Sequence, residues 1–201
     1  DEDFDWTNGG AIRFADNKDG EIVNARLEPQ YICKAKITNH NVLPSASNNV
    51  NLTEHERFKG KVITTPSGKR VIDFGQNLTG YVEWVVPQRK GAEFTIYHAE
   101  ILDKDGNFYT ENLRGAKAQV HVTSDGNERV YKPHFSFMGF RYIKLEGFNK
   151  DEIDLDNFKA VVVFSNMKRT GFFACGDELV QQLYENIVWG QRGNFLDSVL
   201  K

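Results

Sequence analysis

From residue 50 to residue 165 the chain alternates apolar and polar side chains in short runs broken by turn signals, and few folds tolerate that pattern. In "GYVEWVVP", Val82, Trp84 and Val86 share one face and Tyr81, Glu83 and Val85 the other. A period of two marks a strand with one buried face. "EFTIYHAE" repeats it, with Phe94, Ile96 and His98 together, and "FRYIKLEGF" alternates again. "FKAVVVFS" is a continuous apolar run of strand length, suited to the middle of a sandwich. "LDKDGNFY" and "TSDGNERVY" each set Asp-Gly between extended runs, a local hairpin signal. Many short strands with such turns predict a mainly β fold, an antiparallel β-sandwich over 50–165.

The pattern changes after "RTGFFACG". Val180, Leu183, Tyr184 and Ile187 fall at i, i+3, i+4 and i+7, one stripe of a helix of about three turns. Asp177 can cap its start, and Gly190 and Gly193 can end it. Phe172 and Phe173 read as strand residues that tether it. The first turns are expected to fold back on the sandwich, with disorder or self-association beyond Gly190. Before the sandwich, "AIRF", "EIVNARLE" and "YICKAKIT" are too few to close a sheet with its own core. Residues 1–45 therefore read as the last strands of a preceding β domain. "NHNVLPSASNN", residues 39–49, reads as a linker or long loop.

The 201 residues suffice for a sizeable core. The net charge of -3, with no basic stripe, argues against a nucleic-acid partner. No apolar run reaches the length of a membrane helix. Cys33 and Cys175 form no framework, so they read as buried thiols, with one disulfide as the alternative, and the compartment stays open.

The chemistry-bearing motifs are thin. "DFG" at Asp73–Gly75 has no glycine-rich loop or HRD sequence beside it, and reads as a strand end closed by a turn. Asp103, Asp105 and Asn107 have calcium-loop spacing, but the glycine and the twelfth position, Arg114, are wrong for an EF-hand. A hairpin turn is the better reading. His40, His55, His98, His121 and His134 show no ligand spacing, and His98 reads as a hydrogen-bonded core residue. "NLT" at Asn51 and Asn77 is a glycosylation acceptor only in a secreted eukaryotic chain. Glycoside hydrolysis needs two carboxylates across a cleft. Asp73, Glu83, Glu100 and Glu111 lie near strand ends, where carboxylates usually satisfy backbone amides. Of the aromatics that could stack on a sugar, Trp84 alternates with core residues and Trp189 belongs at the helix–domain junction. Tyr97 is a further candidate. Tyr109, after a Gly-Asn turn, is best placed for exposure and is the one candidate carbohydrate-binding residue.

The order "VIDFGQNLTGYVEW", "YHAEILDKDGNFYTENLR", "YKPHFSFMGFRYIKLEGF" and "VVVFSNMKRTGFFACGDELVQQLYENIVWGQRGNF" closely resembles the bacterial α-L-rhamnosidases of glycoside hydrolase family 78 over residues 60–196. "GAIRFADNKDGEIVNARLE" also looks like the end of that family's preceding domain. The resemblance implies β-sandwich domains before an (α/α)6 barrel. By family analogy the barrel holds a glutamate and an aspartate that remove terminal L-rhamnose with inversion. "NFLDSVLK" departs from the family pattern, so no catalytic residue can be carried over, and residues 166–201 read as a linker and the first helix leading to that barrel. Some relatives bind rhamnose through calcium, but the family's "DARLE" is "NARLE" here, with Asn24 in place of the acid. No metal or cofactor is assigned. The resemblance thus implies a non-catalytic sandwich whose partner is the rest of the parent enzyme, the chain alone being inactive. The alternative is an autonomous carbohydrate-binding module for rhamnose-containing glycans. Self-association through the C-terminal helix is a further possibility for partners.

Overall fold

The computed structural model describes residues 5–36, 42, 43, 45, 46 and 50–196, without the side chains of 5–8. The linker read at 39–49 falls largely outside them. The chain runs β1 (Asp5–Asn8), β2 (Ile12–Asp16), β3 (Gly20–Asn24), β4 (Gln30–Lys34), β5 (Leu52–Lys59), β6 (Lys61–Thr64), β7 (Arg70–Val86), β8 (Glu93–Ala99), β9 (Gln119–Thr123), β10 (Arg129–Tyr131), β11 (Met138–Glu146), β12 (Phe158–Ser165) and α1 (Glu178–Asn194). β1 and β4 pair as a separate two-stranded sheet. The other ten strands form one curled sheet in the order β2-β3-β9-β8-β11-β7-β12-β5, with β6 and β10 also paired to β7.

β7 makes a sandwich out of this single sheet. Its 17 residues change partners midway. Its first half lies between β6 and β11, and its second half between β12 and β10. The change falls at Gly80, which pairs with Met138 on one side and Val162 on the other. A Cβ there would stand 1.9 Å from the Val161 carbonyl oxygen, so only glycine allows the approach.

The alternating runs bury the faces the sequence predicts. Val82, Trp84 and Val86 point inward from β7, and Phe94, Ile96 and His98 from β8. Trp84 reaches Phe94, Tyr131, Phe148 and Phe158 with ring centroids 5.4–6.5 Å apart, so this one indole joins both layers. β12 is buried along almost its whole length, as its unbroken apolar run requires.

Four local readings change. β3 pairs with β9 in parallel, so the sheet is mixed. The connection between them is too long for a hairpin to fix the direction. The Asp125-Gly126 turn is no hairpin, because β9 pairs with β3 and β8 while β10 crosses to β7. The turn is held instead by Gly126 N donating to Ser124 Oγ (3.0 Å) and Ser124 Oγ donating to the Pro87 carbonyl (3.1 Å). Phe172 and Phe173 lie outside any strand, and both are exposed. Cys33 and Cys175 are exposed free thiols, since strand β4 and the segment before α1 lie outside the core. The Asp105-Gly106 turn forms as expected, closed by a Leu102–Phe108 bridge.

β2 and β3 continue the main sheet. Glu21 on β3 is fully buried. Its carboxylate accepts from the Tyr131 hydroxyl (2.6 Å) and from the amides of His134 (2.8 Å) and Phe135 (2.5 Å). This single side chain ties the first strands to the segment between β10 and β11.

Candidate functional site

α1 is anchored by its far end. Asp177 caps its start, accepting from the amides of Leu179 (2.9 Å) and Val180 (3.1 Å). The helix does not stop at Gly190 but runs on to Asn194, and its last turn is the docked part. Ser165 N donates to the Phe195 carbonyl (2.8 Å), extending the edge of β12. Thr79 Oγ1 donates to the Gly193 carbonyl (3.3 Å). Gly193 is what lets the helix come this close, since a Cβ there would sit 2.9 Å from that hydroxyl. The Trp189 ring packs edge-on against Phe58 at 5.8 Å. Arg192 lies over Trp189 (4.8 Å) and Phe164 (5.1 Å) and reaches Glu56 (3.2 Å). The expectation of docked first turns and a loose end is therefore reversed: the anchoring aromatics and small residues sit at 189–195, not in the apolar stripe.

The aliphatic part of that stripe, with Leu179 beside it, stays exposed, while Tyr184 packs against the segment before the helix. Leu179, Leu183 and Ile187 are 83%, 58% and 59% exposed, beside Phe172 at 80%. The segment before the helix adds to this surface. Arg169 donates to the Tyr184 hydroxyl (2.5 Å) and lies over the Phe172 ring (4.7 Å), and Phe173 packs on Tyr184 at 5.3 Å. The helix and the segment before it thus leave several large apolar side chains exposed, and exposed apolar groups gathered in this way mark an interface.

Where α1 meets β7 a polar cleft of about 390 Å³ opens. Gln76, Asn77, Glu100, Asn186 and Asn194 line it, with Trp189 at its helical wall. In the sequence Asn77 stands out only as part of a glycosylation triplet and Glu100 only as one acid near a strand end. Their convergence with helix residues a hundred positions away leaves no local signal.

Of the other candidate carboxylates, Asp73 and Glu83 have structural tasks, and Glu111 opens an exposed turn at Glu111–Leu113. Asp73 forms a two-point ion pair with Arg141, both contacts 2.8 Å, and accepts from Gly75 N (2.7 Å). The Arg141 guanidinium holds its carboxyl below the usual range. Glu83 stands 3.8 Å from Arg57, and Asp103 pins its turn by accepting from the amides of Asp105 (2.9 Å) and Asn107 (2.7 Å). Tyr97 donates to Glu146 (3.0 Å) under the Lys144 ammonium. Tyr109 is half-buried in the loop after the Leu102–Phe108 bridge and is not among the described residues that line the cleft. Asn24 accepts from the backbone and side chain of Arg26 (3.2 and 3.0 Å), a turn-closing role.

Residues 63–164 match the family model of the bacterial alpha-L-rhamnosidase concanavalin-like domain. The chain belongs to the bacterial α-L-rhamnosidase family. An alpha-L-rhamnosidase of Formosa agariphila is 32% identical over 98% of this chain and 23% of its own length. One of Streptomyces avermitilis is 38% identical over 68% of this chain and 13% of its length. The crystal structure of the α-L-rhamnosidase of Aspergillus terreus superposes with a TM-score of 0.85 at 32% identity, over 95% of this chain and 24% of that one. The chain thus spans less than a quarter of these rhamnosidases. The family model begins in β6 and ends in β12, so the β7 side of the cleft lies inside it and α1 beyond it.

Proposed function

We propose that this chain is the non-catalytic β-sandwich part of an α-L-rhamnosidase whose whole form hydrolyses terminal α-L-rhamnose from glycosides with inversion. In this reading residues 1–45 are the last strands of a preceding β domain, with β2 and β3 extending the sandwich's sheet. Residues 50–165 are the accessory sandwich. Residues 166–201 lead into an (α/α)6 catalytic barrel, which packs on the apolar stripe of α1.

The observation that carries this reading is the asymmetry of α1. One end is fixed to the sandwich by Trp189, Arg192 and Phe195, while Leu179, Leu183 and Ile187 face outward. A helix of this length is marginal in water on its own, and an uncovered stripe of large aliphatic side chains calls for a partner. The small share of the relatives' length that the chain spans leaves ample polypeptide to supply one.

The test has two parts. The purified chain is expected to leave aryl α-L-rhamnosides unhydrolysed. Turnover by the chain that disappears on Glu100→Gln or Asp73→Asn would place the active site here and end the proposal. In the full-length enzyme, Leu183→Asp with Ile187→Asp should lower activity and expose the segment after residue 175 to protease. A double variant with unchanged activity and proteolysis would mean that nothing packs on the stripe.

A further inference from the structure

We propose that the cleft between β7 and α1 is a binding subsite for a neutral saccharide unit. Its volume of about 390 Å³ lies in the range of small-molecule sites. Its lining has the chemistry that hydroxyl groups require. Asn77, Asn186 and Asn194 each offer an amide donor and a carbonyl acceptor, and Glu100 offers a carboxylate. Several of these groups are only partly used within the chain. Glu100 takes one hydrogen bond, on Oε2 from Asn112 (3.2 Å), while Oε1 turns toward Gly139, where a Cβ would meet it at 3.0 Å. Asn194 donates to the Gly190 carbonyl (2.8 Å), and Asn186 accepts from Gln182 (2.9 Å). Trp189 supplies an apolar surface beside them. With no cationic side chain among the described residues that line it, the cleft suits a hydroxylated ligand better than an acidic one.

Gly190 is the second, independent observation. It lies inside α1, where glycine costs a helix roughly 1 kcal/mol relative to alanine. Packing does not explain it, since a Cβ there would meet no atom within 4 Å beyond the helix's own backbone. Gly193, three residues on, is explained by its close approach to Thr79. Gly190 lines the cleft, and its missing side chain keeps that wall open.

The cleft is read from geometry, whereas the choice of L-rhamnose as first probe rests on the proposed function. The experiment is a titration of the ¹⁵N-labelled chain with L-rhamnose, methyl α-L-rhamnoside and D-glucose, following backbone amide shifts. The expected result is saturable, millimolar binding with shifts at 76–79, Gly139 and 190–194. Glu100→Gln should weaken it by about tenfold, the worth of one charge-assisted hydrogen bond. Gly190→Leu should abolish it while circular dichroism stays native. Gly190→Ala, which adds one methyl group and favours the helix, should raise Tm and so show that the position tolerates a side chain. Binding of glucose but neither rhamnoside would support the cleft as a saccharide site and count against the rhamnosidase-derived choice of sugar. No saccharide-dependent shift at these amides, shifts confined to the Tyr109 loop, or undiminished binding by Gly190→Leu would each overturn the proposal.

Discussion

Glu21 shows how much one buried carboxylate can hold. It is fully buried, and its oxygens accept from the buried Tyr131 hydroxyl and from the amides of two exposed residues, His134 and Phe135. Glu21→Ala should therefore cost about 2 kcal/mol or more, because it leaves the buried Tyr131 hydroxyl without an acceptor and unties two backbone amides. Urea unfolding checks this, and a loss below about 1 kcal/mol would show that the donors find other partners. His98 acts in the opposite sense. Its Nδ1 faces the Ala118 carbonyl (2.8 Å) at the core, and burial pushes its pKa from 6.5 down to about 4. Above pH 6.5 the ring is neutral both folded and unfolded, so its contribution is fully present. Between pH 6.5 and 4 only the unfolded chain takes up the proton, and stability falls. From pH 7 to pH 5 the loss should be about 2 kcal/mol, and in a His98→Asn background that slope should vanish. The acidic pairs leave a separate signature lower down. Glu54, held by Lys132, Tyr81 and Arg57, is depressed to about 2, so its contribution is present above pH 4.5 and is lost as pH falls toward 2.

Among the elements, α1 separates what the sequence displays from what it hides. The stripe Val180, Leu183, Tyr184 and Ile187 predicts a helix, and Asp177 predicts its start, because spacing and capping are local properties. Its end and its docked face depend on distant residues: Thr79, Phe58 and the edge of β12. No pattern near Gly190 reports them, so two glycines that look like stops lie within the helix. Trp189→Ala should free the helix by removing the ring packed on Phe58, costing about 2 kcal/mol and hastening cleavage after residue 175. Unaltered proteolysis would mean that the backbone contacts of Gly193 and Phe195 suffice. The strands follow the same division. Alternation shows which face of β7 and β8 is buried. It does not show that β3 pairs in parallel with β9, or that β10 crosses to β7, because neither pairing joins neighbours in sequence.

For the whole molecule, the sandwich was legible because its core faces are written in period two and Trp84 sits among them. The cleft was not legible, because Asn77 and Glu100 meet Asn186 and Asn194 only after the sheet has curled and α1 has docked. The proposed role follows from the imbalance that folding leaves: a closed core with Trp84 at its centre, and a helix satisfied at one end and apolar at the other. That imbalance has a direct readout in amide hydrogen exchange along α1, measured in this chain alone and in a polypeptide extended through the catalytic portion of the enzyme. Fast exchange is expected over 179–187 in the chain alone and strong protection of those amides in the longer protein, with 191–195 protected in both. Equal protection of 179–187 in the two would mean that the stripe needs no partner, and the proposed packing of a catalytic barrel on α1 would fall.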